Sequence, residues 1–155
     1  MKKILKRIAV GCIAVFALLQ LTNPPRTNPP VIQDFVAANS PPSEVAALLH
    51  AACYDCHSHA TRWPWFSKVA PMSWLISSDV AEGRKHLNLS NWPVGHPERA
   101  VKWLDTMEEE IGDNEMPPKK YTAIHVDARL TVAQRKELAD YLDAESARQK
   151  LVTGK

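Results

Sequence analysis

The chain has 155 residues, of which 45% are hydrophobic and 23% are charged, a composition typical of a globular protein with a core of its own. Its formal net charge is +2, but five of the 19 lysines and arginines lie in residues 1–30, which contain no acidic residue. Residues 31–155 therefore carry 14 basic and 17 acidic side chains. This slightly acidic balance argues against a nucleic-acid partner.

Residues 1–21 are predicted to target the chain to a membrane. Four lysines and arginines within residues 2–7 precede an apolar run over residues 8–19. An excess of basic residues marks the cytoplasmic flank of such a segment, so the rest of the chain is expected on the opposite side of the membrane. No small-x-small cleavage site follows the run. This favours an uncleaved signal-anchor over a cleaved signal peptide, which remains the alternative.

A proline-rich linker is predicted over residues 22–39. Residues 22–30 contain a tandem Thr-Asn-Pro-Pro unit, and paired prolines favour extended polyproline II. At about 3.1 Å per residue, this stretch would hold the folded body roughly 28 Å from the bilayer. A plain flexible linker is the alternative. The folded body is expected over residues 40–150.

The body is predicted to be all-α, a small bundle of about four helices without a strand. Apolar residues recur at helical spacing, and cap residues or prolines stand where helices would begin. The four helices are expected from about residue 40 to 52, 71 to 87, 97 to 112, and from 131 onward. The third has the clearest apolar stripe and ends at a glycine.

The most informative motif is Cys53-Tyr54-Asp55-Cys56-His57. C-x-x-C-H is the pattern by which a c-type haem is attached: each thiol adds to one vinyl group, and the histidine becomes an axial iron ligand. On a helical turn, residues i and i+3 project from the same side, so both thiols can face the porphyrin edge. The sequence therefore predicts one covalently attached haem c per chain, with His57 on the iron.

Three other interpretations of the motif were weighed. A thioredoxin-like dithiol would need a βαβ setting, and no strand is predicted. A structural zinc site would need a second pair of ligands from a distant segment, whereas the remaining cysteine, Cys12, lies in the apolar run. An ordinary disulfide between Cys53 and Cys56 would leave His57 without a role.

Met116 is the predicted sixth iron ligand. It lies in a loop before Pro117-Pro118, which would stiffen the backbone behind the thioether. Methionine and histidine together raise the reduction potential of a haem iron. His125 is the next candidate. The other residues considered were His59, His86, His96 and Met72.

The haem pocket is predicted from aromatic and basic residues near the motif. Trp63, Trp65 and Trp74 fall within twenty residues of His57 and are expected to wall the pocket. Arg84 is the expected partner of a haem propionate, because a guanidinium pairs with a carboxylate through two hydrogen bonds. Arg62 is a second candidate for the same role.

Several further segments carry a resemblance to a known family. The motif with Ser58 after it is joined by Trp-Pro-Trp at 63–65, Pro-Met-Ser-Trp at 71–74, Glu-Gly-Arg at 82–84, Leu-Asn-Leu-Ser-Asn-Trp at 87–92 and Glu-Met-Pro-Pro at 115–118. Together they resemble the bacterial haem-binding domain family with a C-x-x-C-H-S motif, over about residues 38–148. The order of elements is similar to that of class I c-type cytochromes. The resemblance implies covalent haem on Cys53 and Cys56, with His57 as ligand.

The predicted function is electron transfer by a membrane-tethered periplasmic cytochrome. Its expected partners are redox proteins and, through residues 1–21, the cytoplasmic membrane. An electron carrier is favoured over an enzyme because no distal acid-base arrangement is evident. The alternative is a haem-based gas or redox sensor, or a small peroxidase-like enzyme, with an open or weakly held sixth position.

Overall fold

The computed structural model describes residues 1–153, and it confirms the all-α prediction. Within these residues there is no β-strand, only one isolated bridge between Gln33 and Asn91. The α-helices are α1 Lys2–Leu19, α2 Phe35–Asn39, α3 Ser43–Ala52, α4 Tyr54–His57, α5 Met72–His86, α6 Pro97–Gly112, α7 Lys119–Thr122 and α8 Val132–Thr153. Short 3-10 helices cover Gln20–Thr22, Trp65–Lys68 and Val126–Ala128. The four longer helices of the body, α3, α5, α6 and α8, correspond to the four predicted ones.

Helix α1 is apolar and fully exposed. The helical stretch Lys2–Thr22 has 21 residues and a mean hydropathy of 2.0, and none of its most apolar window is buried. It is long and apolar enough to cross a membrane, a property that it shares with signal sequences.

The core of the body lies between α6, α8 and α3. Helix α6 packs along α8 and buries Leu104, Met107 and Ile111 against Leu138 and Leu142. Helix α3 adds two more buried side chains, Val45 and Leu49. The apolar stripe predicted for the third helix is therefore the face that α6 buries. This packing forms the base on which the motif at residues 53–57 is held.

The segment before residue 40 differs from its prediction as a linker. Phe35 is fully buried, and its ring meets that of Trp92 edge to face at a centroid distance of 4.5 Å. The backbone N–H of Phe35 donates to the carbonyl of Leu89 at 2.8 Å. The body therefore includes residues before 40, because an aromatic side chain in a polar, proline-rich context completes the core.

Residues 20–30 also lie on the body rather than extending away from it. The guanidinium of Arg26 donates to the carbonyl of Ser67 at 3.1 Å, and the amide of Asn28 donates to the carbonyl of Thr61 at 2.9 Å. The predicted 28 Å separation is thus absent from the structure. Its physical reason is that the polar groups between the prolines find partners on the body, which composition alone does not reveal.

Candidate functional site

The C-x-x-C-H motif folds as one helical turn at the end of α3. Cys53 interrupts the helix with φ −121° and ψ −41°, and α4 begins at the next residue. The backbone N–H of His57 donates to the carbonyl of Cys53 at 2.9 Å. Cys53 therefore stands at the N-terminal end of this turn and Cys56 within it.

The imidazole of His57 is oriented by the last turn of α5. Its Nδ1 lies 2.9 Å from the carbonyl oxygen of Gly83 and 3.2 Å from that of Leu87. Both partners only accept hydrogen bonds, so Nδ1 carries the proton and Nε2 carries the lone pair. Burial lowers the pKa of His57, which favours the neutral ring. A neutral imidazole whose second nitrogen is held by backbone carbonyls is the arrangement typical of a metal-ligating histidine.

Helix α5 meets the backbone of α4 closely at Gly83. A Cβ atom on this glycine would lie 2.6 Å from the backbone oxygen of Cys56, closer than atoms pack. The absence of a side chain therefore allows α5 to pack against the motif and to bring its carbonyl to His57.

The two thiols of the motif are free and half-buried. Burial, with a smaller contribution from Cys56, raises the pKa of Cys53 to about 12. Burial, followed by the charge of Asp79, raises the pKa of Cys56 to about 11. Redox-active dithiols instead have a lowered thiol pKa that exposes a nucleophilic thiolate. Both shifts in the motif have the opposite direction.

Asp55, inside the motif, is buried and makes a network that the sequence analysis missed. Its carboxylate accepts two-pronged hydrogen bonds from the guanidinium of Arg62, the closest at 2.9 Å. It also accepts a hydrogen bond from the hydroxyl of Tyr121 at 2.7 Å. The guanidinium of Arg62 therefore has a protein carboxylate as its partner. The sequence feature that could have indicated this network is the charged residue between the two cysteines of the motif.

The segment that follows Met116 runs beside the motif. Met116 is half-buried, and Arg135 donates to its carbonyl oxygen at 2.8 Å. Four residues later, Lys120 on α7 pairs with Asp79 of α5 at 2.7 Å. Tyr121 then reaches Asp55. The chain from Met116 onward is thus tied both to α5 and to the turn that carries the two cysteines.

Two of the rival histidines differ in the state of their ring nitrogens. In His125, Nδ1 donates to the carbonyl of Tyr121 at 3.1 Å, and the two rings stack at 4.0 Å. This leaves Nε2 as the nitrogen with the lone pair. In His59, Nδ1 donates to the carbonyl of Pro30 at 2.8 Å and Nε2 accepts from the amide of Asn88 at 2.9 Å. His59 therefore has no nitrogen left for a metal in this arrangement.

The remaining rival ligands lie at the surface. His86 and His96 are exposed, and Nε2 of His86 lies 3.5 Å from a carboxylate oxygen of Glu82. The side chain of Met72 is also exposed. None of these three shares the half-buried position of Met116 and His125.

Two of the three tryptophans predicted to wall a pocket, Trp63 and Trp74, are hydrogen-bonded to residues 20–30. The indole N–H of Trp63 donates to the side chain of Asn28 at 3.2 Å, and that of Trp74 donates to the carbonyl of Thr22 at 3.1 Å. Trp65 is 76% exposed. Their role around a haem stays a prediction, since their polar contacts serve to hold the N-terminal segment.

Arg84 joins three parts of the chain instead of standing free for a propionate. Its Nε donates to the carbonyl of Ser58 at 2.7 Å, and its Nη2 donates to the hydroxyl of Thr61 at 2.9 Å. Its two Nη atoms also donate to the carbonyl of Thr27 and the side chain of Asn28, at 2.9 and 3.0 Å. A propionate would have to displace these bonds. The role of Arg84 as a propionate partner stays a prediction.

A loop after α5 completes the support of the motif. The backbone N–H of Leu89, a fully buried residue, donates to the carbonyl of His57 at 2.7 Å. The hydroxyl of Ser90 accepts from the backbone N–H of His59 at 2.9 Å. The polar composition of this loop does not indicate that its residues bond to the backbone of His57 and His59.

The donor set of this site fits a haem better than a single ion. Among residues 1–153, no group of three or more His, Cys, Asp or Glu side chains is arranged to hold a metal ion. The two thiols and the imidazole of the motif do not form such a group. In a c-type haem they need not, because the sulfurs bond to the porphyrin edge and the imidazole to the iron at its centre.

An all-α body that presents two thiols and a neutral, oriented imidazole on one helical turn has the features of a haem-binding protein. Comparison with protein families agrees: the model of the haem-binding domain family matches residues 14–144. Because this match spans most of the chain, the chain belongs to the haem-binding domain family. The comparisons with curated proteins and with solved structures give no match.

Proposed function

We propose that this chain is a membrane-tethered c-type cytochrome that passes single electrons between redox proteins on the periplasmic side of the inner membrane. The observation that carries the proposal is that one helical turn holds two free thiols and His57. The Nδ1 atom of His57 is held by the carbonyls of Gly83 and Leu87. A haem bound there would supply a one-electron iron couple. The protein residues attach it, orient it and set its ligands.

Cys53 and Cys56 are the proposed attachment points. Each S–H would add across one vinyl C=C bond, giving a C–S bond and a new C–H bond without any oxidant or reductant. Both thiols are free, and one helical turn separates them, as two bonds to one porphyrin edge require.

Met116 is the proposed sixth ligand, with His125 as the alternative. Both side chains are half-buried, and both belong to the segment that Lys120 and Tyr121 tie to α5 and to Asp55. The backbone of Met116 is fixed from both sides, since its N–H donates to Glu110 and its carbonyl accepts from Arg135. A fixed backbone lowers the entropy lost when a flexible thioether binds a metal.

Helix α1 is the proposed anchor. Its basic residues precede the apolar stretch, an order that places the start of the helix in the cytoplasm and the body outside. The family match begins at residue 14, inside this helix. Residues 20–30 then contact the body directly, so an uncleaved helix would be continuous with folded structure.

Mass spectrometry of the full chain, produced with a haem-attachment system, tests the covalent bond. The intact chain is expected to carry the mass of one haem after denaturation. The double variant Cys53→Ala, Cys56→Ala should lose it completely, whereas Cys12→Ala, the matched control, should keep it. Covalent haem retained by the double variant, or absent from the parent chain, would contradict the proposal.

Optical spectra test the sixth ligand and the class of function. The ferric protein is expected to be low-spin with a sulfur-to-iron charge-transfer band, which Met116→Ala abolishes and the surface control Met72→Ala preserves. Loss of the low-spin spectrum in His125→Ala alone would assign that histidine instead. A high-spin parent protein that binds carbon monoxide rapidly would reject the electron carrier in favour of the sensor or enzyme.

A further inference from the structure

The end of α1 is attached to the beginning of α5. The side-chain oxygen of Gln20 accepts a hydrogen bond from the backbone N–H of Ala70 at 2.9 Å, and its nitrogen lies 3.4 Å from the carbonyl of the same residue. The indole N–H of Trp74 donates to the carbonyl of Thr22 at 3.1 Å. The point where the apolar helix ends is therefore fixed on one particular side of the body.

That side of the body exposes apolar side chains. Trp65 is 76% exposed, Leu75 is 57% exposed, and Met72 and Trp74 are 38% and 36% exposed. Leu21, at the end of the apolar stretch, is 81% exposed. These five residues, which we call the interfacial surface, belong to Gln20–Thr22, Trp65–Lys68 and the first turn of α5. None of them belongs to the buried core.

The length of the apolar helix fixes the depth of this surface. The stretch Lys2–Thr22 has 21 residues. At about 1.5 Å per residue it spans roughly 32 Å, which crosses the roughly 30 Å of a bilayer's hydrocarbon core when the long basic side chains of residues 2–7 extend to the cytoplasmic headgroups. Thr22 would thus lie at the level of the lipid headgroups when α1 spans the membrane. Trp74 is hydrogen-bonded to it and must lie at the same level.

We propose that the interfacial surface rests in the headgroup region of the bilayer that α1 crosses, so that the body lies directly on the membrane. This inference rests on the proposed anchoring by α1 but not on haem attachment. Tryptophan is favoured at this level because its ring is apolar and its N–H is polar. Lys68, exposed on the same 3-10 helix as Trp65, adds a positive charge near anionic headgroups.

Site-specific photocrosslinking of the full, haem-loaded chain in vesicles of phosphatidylethanolamine and phosphatidylglycerol tests the proposal. The photoreactive residue p-benzoylphenylalanine replaces Trp65 or Leu75 in separate variants. Phe16 in α1 is the positive control. Val132 and Leu151, exposed at opposite ends of α8, are the negative controls. Lipid adducts at positions 65 and 75 are expected to exceed those at 132 and 151 by about fivefold or more.

Each other outcome overturns the proposal in a recognisable way. Adducts at position 16 without an excess at 65 and 75 would leave the anchor intact and reject the contact with lipid. Adducts of positions 65 and 75 with a protein would assign the surface to a protein partner. Absence of lipid adducts at position 16 would reject the anchor, and with it the inference. The mass of the attached haem, read on the same samples, reports separately on the attachment.

Discussion

Gly83 links helix packing to the orientation of His57, the proposed axial ligand. Its missing side chain admits the backbone of Cys56, and its carbonyl accepts the Nδ1 proton of His57. Asp55 has a comparable position on the other side of the motif, where it joins Arg62 to Tyr121. Neither residue would be chosen from the sequence as part of the site, because each acts through contacts with distant segments.

Gly83→Ala is expected to destabilise the fold by about 1–3 kcal/mol, since the new Cβ would meet the backbone oxygen of Cys56 at 2.6 Å and backbone cannot move aside cheaply. Urea unfolding and the yield of haem-loaded chain measure the effect. Gly112→Ala is the matched control, because its Cβ would meet only a flexible Glu108 side chain at 3.9 Å. Equal stability of the two variants would show that α4 and α5 pack less tightly than described.

Asp55→Ala is expected to lower the free energy of unfolding by about 2 kcal/mol. The substitution removes the carboxylate that accepts charged hydrogen bonds from the Arg62 guanidinium and one hydrogen bond from the Tyr121 hydroxyl. Most of the Arg62 side chain is exposed and regains water, which limits the cost. Asp127→Ala removes an exposed carboxylate 3.7 Å from the same guanidinium and should cost less than about 0.5 kcal/mol. Urea unfolding compares them, and similar losses would contradict the assigned network.

At the scale of elements, the helices were predictable and the segment between α1 and α2 was not. The third predicted helix has the bounds of α6, Pro97–Gly112, because proline, an apolar stripe and a terminal glycine are all local features. Residues 22–30 have no such local feature. Their structure depends on hydrogen bonds to Ser67, Thr61 and Arg84, which lie far along the chain.

Asn28→Ala is expected to loosen this segment. The substitution removes the donor to the carbonyl of Thr61 and the acceptor for Trp63 and Arg84. Hydrogen exchange of residues 20–33 should accelerate by about tenfold or more, equivalent to roughly 1.4 kcal/mol of local opening. Thr27→Ala is the control, because Thr27 contributes only its backbone carbonyl to these contacts. Unchanged exchange in Asn28→Ala would mean that other contacts, such as that of Arg26 with Ser67, hold the segment without Asn28.

At the scale of the whole molecule, the body begins earlier than its helical pattern suggests. Phe35 is as fully buried as Leu104 in the centre of α6, and Trp92 packs against its ring. A single aromatic residue after a proline-rich stretch gives no periodicity, so the sequence could not place it in the core. The all-α class, by contrast, followed from local patterns.

Shortened chains test this boundary. A chain that begins at residue 20 should keep the stability of the body, because it lacks only the exposed helix α1. A chain that begins at residue 40 should lose at least about 3 kcal/mol or fail to fold, since it leaves a cavity beside Trp92 in place of Phe35. Thermal and urea unfolding decide between them. Equal unfolding midpoints of the two chains would show that residues 22–39 do not stabilise the body and act as a linker.

The close attachment of residues 20–35 also bears on how partners would be met. A cytochrome on a loose tether sweeps a hemisphere of solvent, and its orientation changes from one encounter to the next. Here the side chains of Gln20, Asn28 and Arg84 hold residues 20–30 on the body through hydrogen bonds. With α1 anchored in the membrane as proposed, the body would keep one orientation relative to the bilayer and would diffuse only in the plane of the membrane. It would then encounter an electron donor or acceptor in the same membrane by lateral diffusion. Such a partner would always approach the same surface of the body.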